Sequence, residues 1–309
     1  MPRAHTCSEL LAEGTARLRE AGVDRPRFEA ELLLGHVAGL RREKLLLSAQ
    51  KPVPAAWQAG FLRAVTRRAG GEPYAYVVGH KEFMSLDLLV SPHVLIPRPE
   101  TELLVELGLR FLRESWFLEG SPSDPRGPLA IDVGTGSGAV ALALAHGLPG
   151  LRVLALDVSE AAAAVAARNA ARLGLADRVT VLVSDLLTSP ELPPPGTADL
   201  VLANLPYVPA GVFGKLAPGV ASFEPRLALD GGPDGLSLIR RLVPQAADII
   251  RPGGACALEC GPEQCTLLAG LLSRSGFAGI QVHRDLAGRA RVVWGIRDGQ
   301  GHQGTGGRG

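Results

Sequence analysis

Along the first 70 residues the apolar positions recur at helical spacing. Thr6 and Glu9 stand as in a capping box, and Leu11, Thr15 and Leu18 then fall on one face. Asp24 with Pro26 opens a second helix; a third and fourth follow around 41–47 and 54–68, the last stopped by Gly70-Gly71. From Tyr74 to Val90 the residues turn β-branched and aromatic, interrupted by Gly79-His80, which predicts a β-hairpin. The pattern therefore predicts a small helical domain over residues 1–72 and a hairpin connector over 73–97. A helix follows Pro99.

Beyond a Pro/Ser/Gly loop at 121–128, strands and helices alternate. Strands are expected at 129–133, 152–156, 179–183, 200–203 and 254–259. Helices are expected from Ala139 and at 161–173, 236–250 and 263–275. Such βαβ alternation implies an α/β domain with a doubly wound, mostly parallel sheet over residues 98–298. Two further extended runs, 280–283 and 291–294, suit an antiparallel edge hairpin. The tail 299–309 has almost no apolar surface and is expected to be disordered.

Composition narrows the class of function. A chain of 309 residues allows one large domain, or a medium one beside a smaller one. With 46% hydrophobic residues, 20% charged residues and a net charge of +1, it lacks the field of a dedicated polyanion binder, so direct nucleic-acid binding is not expected. No run of about 18 apolar residues appears and the start has no secretory pattern, so neither membrane association nor export is expected. We expect a cytoplasmic monomer. Cys7, Cys256, Cys260 and Cys265 form no C-x-x-C pair and read as reduced thiols, and the seven histidines show no ligand spacing, so no metal is expected.

The chemistry concentrates in two places. Ile131-Asp132-Val133-Gly134-Thr135-Gly136-Ser137-Gly138 is an apolar strand entering a glycine-rich turn and then a helix, whose free N–H groups are expected to face a ligand. Asp157 ends the next strand, where a carboxylate can accept from both ribose hydroxyls. Gly134, Gly136 and Ala139 also satisfy a loose dinucleotide pattern, so a nicotinamide cofactor competes. Against it, the turn leaves room for an amino-acid moiety, Ser184-Asp185 can receive an adenine amino group, and no hydride-transfer partners follow. S-adenosylmethionine fits that layout better.

The strand at 200–203 runs into Asn204-Leu205-Pro206-Tyr207 at the switch point of the sheet. A planar amide or aromatic amine is a poor nucleophile because its lone pair is delocalised. If the Asn204 side-chain oxygen and the carbonyl of Leu205 each accept one N–H, they fix the NH₂ group and stabilise the charge that develops on it. Pro206 stiffens the turn, and Tyr207 is placed to stack on the planar group. Arg98, Glu100 and Glu102 suit a helix start, and Phe223, Glu224 and Arg226 suit either an ordered turn or a loop over the substrate.

These residues carry a resemblance. Asn204-Leu-Pro-Tyr207 resembles the Asn-Pro-Pro-Tyr signature of methyltransferases acting on amide or exocyclic amino nitrogens. Val94-Leu-Ile-Pro-Arg-Pro-Glu-Thr-Glu102, Asp132-Val-Gly-Thr-Gly-Ser-Gly138 and Phe223-Glu-Pro-Arg-Leu-Ala-Leu-Asp-Gly-Gly232 narrow this to the HemK/PrmC family of release factor glutamine N5-methyltransferases. The resemblance spans nearly the whole chain. It implies a class I, Rossmann-like S-adenosylmethionine-dependent domain, with the N-terminal helical domain serving substrate recognition. Cofactor contacts are implied from Gly134, Thr135, Gly136, Ser137, Gly138, Asp157, Asp185, Leu186 and Asn204. The glutamine of a Gly-Gly-Gln motif in class I peptide-chain release factors is implied to sit against Asn204, Leu205, Pro206 and Tyr207, with Asn204, Pro206 and Tyr207 catalytic. Leu205 departs from the family pattern: it keeps the carbonyl acceptor but not the fixed φ of proline. Two alternatives remain at this point, a DNA adenine N6-methyltransferase and a release-factor-binding module without activity.

Overall fold

The computed structural model describes residues 5–118 and 127–299. Apart from Gly127, Pro128 and Gly299, the expected loop at 121–128 and tail at 299–309 lie outside the described residues. The chain divides into two compact units, one of Met1–His80 with Ala217–Phe223 and the other of Lys81–Leu216 with Glu224–Gly309.

The first unit is helical: α1 (Cys7–Glu20), α2 (Pro26–Ala38), α3 (Arg42–Leu47), α4 (Ala55–Ala69) and α5 (Tyr74–Val78). The capping box forms in both directions, since Thr6 N–H donates to Glu9 at 2.8 Å and Glu9 N–H to Thr6 Oγ1 at 3.2 Å. Leu10, Leu11, Leu18, Leu33, Leu34, Phe61 and Val65 are buried in its core. Glu31, buried among them, is paired with Arg27 at 2.6 Å and Arg42 at 2.5 Å, which holds its carboxyl below the ordinary value despite burial.

One expectation fails here. Tyr74–Val78 is a helix, not the first strand of a hairpin: Pro73 precedes it, and Gly79 closes it in the left-handed conformation at φ 81°. Val77 and Val78 join the helical core, so burial overrides their β propensity. The hairpin comes later, as β1 (His80–Phe83) and β2 (Leu86–Leu89). Met84 and Ser85 both take positive φ at its turn, 49° and 64°, the requirement of a type I′ loop that asparagine and glycine usually meet.

The second unit holds α6 (Glu102–Leu118), β3 (Leu129–Val133), α7 (Ala139–Gly147), β4 (Arg152–Asp157), α8 (Glu160–Arg172), β5 (Val179–Val183) and β6 (Ala198–Ala203). After these come α10 (Ser237–Ile249), β7 (Ile250–Glu259), α11 (Cys265–Arg274), β8 (Phe277–Arg284) and β9 (Ala290–Arg297); the short α9 (Pro218–Phe223) belongs to the first unit. The sheet order is β5-β4-β3-β6-β7-β9-β8, with β3 to β7 parallel and β9 antiparallel to both neighbours. Alternate residues of the strands enter separate cores. Ala130, Leu200 and Leu202 pack with Leu104, Leu142 and Leu144, whereas Ile131, Val201 and Ala203 pack with Leu242, Val243 and Leu268. The strand order reverses between β3 and β6, and the register pairs Val133 with Ala203. That pairing brings the glycine loop and Asn204 side by side. No helix among the described residues is long and apolar enough to cross a membrane.

Candidate active site

A cavity of about 480 Å³ opens at the carboxyl ends of β3, β4 and β6, wholly within the second unit. One wall is the glycine loop. Gly134, Gly136 and Gly138 have φ of 77°, 56° and 85°, and a Cβ at Gly134 would stand 2.9 Å from Leu205 Cδ2. Only a residue without a side chain allows this approach.

Most of the loop's own amide protons are engaged within the fold. Gly134 and Thr135 N–H both donate to the Leu156 carbonyl at 2.8 Å, and Gly136 N–H donates to Asp157 Oδ2 at 2.9 Å. Ala141 N–H, in the first turn of α7, donates to Asp132 Oδ2 at 3.1 Å. A pyrophosphate needs such donors for itself. Instead two carboxylates face the cavity, Asp132 buried and Asp157 half-buried. Burial raises Asp132 to about 6 against hydrogen bonds from Thr135 and Ala141, and raises Asp157 against the N–H groups of Ser159 and Gly136. This acidic wall repels a pyrophosphate and suits a cationic ligand. Each Asp157 oxygen accepts one backbone N–H, leaving a lone pair on each for a hydroxyl pair. Further along, Leu186 is buried at φ 55°, Ser184 Oγ donates to its carbonyl at 2.7 Å, and the exposed Asp185 is paired with Arg241 at 2.6 Å.

The opposite wall is the turn after β6. The Asn204 side-chain N–H donates to Thr101 Oγ at 2.9 Å, which leaves the amide oxygen for an incoming donor. Leu205 is buried beneath the glycine loop in the core of that face. Pro206 lines the cavity, whereas Tyr207 does not. The Tyr207 hydroxyl lies 3.5 Å from Glu259 Oε1, and its carbonyl accepts from Gln264 Nε2 at 2.9 Å. Gln264 also donates to the Asp234 carbonyl and accepts from Gly261 N–H, so one side chain ties three loops.

Comparison with known proteins supplies the family. Residues 9–79 match the model of the PrmC N-terminal domain, and residues 130–218 match that of a methyltransferase domain. A release factor glutamine methyltransferase of Moorella thermoacetica is 47% identical over 94% of this chain and 99% of its own length. Another of that name, from Rhodopirellula baltica, is 37% identical over 93% and 95%. The chain belongs to the release factor glutamine methyltransferase family. As a member of this family it is an S-adenosylmethionine-dependent methyltransferase, and its acidic, donor-poor glycine wall fits a sulfonium cofactor. The catalytic domain of hMettl16, solved with MAT2A 3′UTR hairpin 6, aligns at 16% identity over 76% of this chain and 81% of that one, with a TM-score of 0.53. At that identity the likeness shows the fold alone.

Seen against its sequence, this methyltransferase brings Gly134, Thr135, Gly136, Ser137, Asp157, Asp185, Leu186, Asn204, Leu205 and Pro206 into one cavity lining. Gly138 and Tyr207 stand behind it; Gly138 turns the chain into α7, where a Cβ would meet Leu142 at 2.9 Å. Sequence reasoning missed Thr101, Glu259, Gln264 and Asn169. Asn169, on α8, is fully buried and donates to the carbonyls of Leu89 and Ser137 at 3.0 and 2.9 Å, anchoring β2 and the glycine loop. Nothing in the local pattern marks them, although Thr101 lies inside the 94–102 motif. Arg98, read from sequence as part of a helix start, and Glu224, read as part of an ordered turn or a loop over the substrate, form a 2.5 Å ion pair between two motifs, with Glu224 buried.

Proposed function

We infer that this chain transfers a methyl group from S-adenosylmethionine to the side-chain nitrogen, N5, of the glutamine in the Gly-Gly-Gln motif of class I peptide-chain release factors. One observation carries the reading: Asn204 is anchored through its N–H to Thr101, so its oxygen is left as an acceptor in the cavity beside the glycine loop. Gly134, Thr135, Gly136, Ser137, Asp157 and Leu186 hold the cofactor, with Gly138 setting the loop's exit. When bound, the cofactor supplies an electrophilic methyl group. The Asn204 oxygen and the Leu205 carbonyl each accept one N–H of the glutamine amide, which fixes its plane and stabilises the positive charge that grows on nitrogen. Pro206 limits the freedom of the turn, and Tyr207, tethered at its carbonyl by Gln264, holds the end of that turn in place rather than lining the cavity itself. The proton leaves to water afterwards, so no strong base is required. We assign the N-terminal helical unit to recognition of the folded release factor, and place the reaction in the cytoplasm, where translation terminates.

Incubation with labelled S-adenosylmethionine and either release factor or duplex DNA, followed by mass spectrometry, tests this. One methyl on the Gly-Gly-Gln glutamine is expected, with the intact factor modified far faster than a short peptide because remote contacts help position the glutamine. Label on adenine would establish the DNA reading. Binding of release factor without transfer would establish a non-catalytic module.

A further inference from the structure

Among the described residues that line the cavity, Leu186 alone combines a side chain with a positive φ, at 55°. A residue with a Cβ rarely adopts that backbone, and it persists only where the surroundings fix it. Here both ends of one peptide plane are held. The Leu186 carbonyl accepts from Ser184 Oγ at 2.7 Å, and the Leu187 N–H donates to Gln245 Oε1 at 3.0 Å. Ser184 Oγ also accepts from Ser189 N–H at 3.2 Å, so its single proton is directed to Leu186.

Gln245 comes from α10, 58 residues further along the chain. Leu238, Arg241 and Gln245 follow one another at helical spacing and fall on one face of that helix. Leu238 and Arg241 line the cavity, and Arg241 donates to Asp185 Oδ2 at 2.6 Å, which leaves Asp185 Oδ1 for an incoming N–H. Both partners of that ion pair are about half accessible, so alone it holds the loop weakly. The shape of the loop depends on the pinned peptide. We propose that Gln245 and Ser184 are positioning residues for the cofactor, locking the Leu186–Leu187 peptide in its left-handed turn and so setting Asp185 to accept the 6-amino group of the adenine. This rests on the reading of Ser184-Asp185 as the adenine end of the S-adenosylmethionine site. Without Gln245 the peptide turns back toward an ordinary φ and Asp185 moves with it. A base with a 6-oxo group presents an acceptor to the carboxylate, so it gains nothing from the loop's shape.

The experiment measures by calorimetry the affinities for S-adenosylhomocysteine and for S-inosylhomocysteine, whose base carries the 6-oxo group, together with Tm. It compares wild type, Gln245→Leu, Gln245→Glu, Ser184→Ala and the Gln245→Leu/Ser184→Ala pair. Wild type should prefer the adenine ligand by about tenfold or more. Gln245→Leu should weaken S-adenosylhomocysteine about tenfold and S-inosylhomocysteine by no more than about twofold. Gln245→Glu keeps an acceptor for Leu187 N–H and should stay within about threefold of wild type on the adenine ligand. Ser184→Ala should lower the preference in the same direction, and the pair should lose less than the product of the two single losses, because both residues hold one peptide. An unchanged preference in Gln245→Leu, equal loss on both ligands, or equal losses in Gln245→Leu and Gln245→Glu would overturn the proposal. If Gln245→Leu does not fold, Ser184→Ala decides, and a wild-type preference there overturns it. A wild-type chain that binds both ligands alike would overturn the adenine reading as well, whereas a discriminating one with an indifferent Gln245→Leu overturns only the positioning role.

Discussion

The two walls of the cavity are built in opposite ways. On the cofactor wall the bonds are short in sequence: Thr135 to Asp132 spans three residues, Ala141 to Asp132 nine, and Gly136 to Asp157 twenty-one. On the substrate wall Asn204 is held from 103 residues away by Thr101, and Tyr207 from 57 residues away by Gln264. The first wall is completed within one continuous stretch of chain, by β3, the glycine turn, α7, the end of β4 and Asn169 of α8. The second is a turn whose conformation is imposed by other parts of the fold. Damage to the first should therefore appear as lost cofactor affinity, and damage to the second as lost turnover.

The largest effect expected on the cofactor wall is that of Asp157→Ala. Removing the half-buried carboxylate proposed to accept from the two ribose hydroxyls should weaken S-adenosylmethionine binding by about 2 to 3 kcal/mol in calorimetry. Turnover at saturating cofactor should stay within a few-fold of wild type. Unchanged affinity would break the assignment of this wall. Gln264→Ala comes next: it frees the Tyr207 and Asp234 carbonyls, and should lower kcat by about tenfold at unaltered cofactor affinity. Lost affinity with normal turnover would show that the walls are not separate.

The smallest effect concerns stability. Burial raises Asp132 from 3.8 to about 6, so the folded state still holds a proton that the unfolded chain has released. The group favours folding below pH 4 and withdraws that contribution as pH rises through 6. Asp132→Asn should therefore flatten the decline of Tm between pH 4 and pH 7, a difference of a few degrees relative to wild type. A steeper decline in the variant would reverse the sign and contradict the burial argument.

The same contrast explains what was legible in the sequence. The run Ile131–Gly138 and Asp157 were readable because most of the residues that satisfy the loop lie within it or at the end of the next strand, Asn169 of α8 being the one that was not. The alternation of β3 to β7 was readable for the same reason, since each strand's two faces enter defined cores. Thr101 and Gln264 were not, because their value comes from a sheet order that brings 101, 204 and 264 together. Tyr74–Val78 misled for a related reason: its aromatic and β-branched residues suit a strand, but they fill the helical core. The hairpin turn at Met84-Ser85 uses residues that do not announce positive φ, with Ser85 N–H donating to Glu82 at 2.6 Å. Leu205 is clearer in space than in sequence. Its departure from the family's proline places a buried side chain under Gly134, joining the two walls through packing.

Whether the Asn204 oxygen orients and supports the attacking nitrogen is read from single-turnover methyl transfer by Asn204→Ala at saturating cofactor. The expected rate is lower by about 10² or more, with an unchanged Tm and most of the cofactor affinity retained. Transfer at a near wild-type rate would contradict it and remove Asn204 from the chemistry.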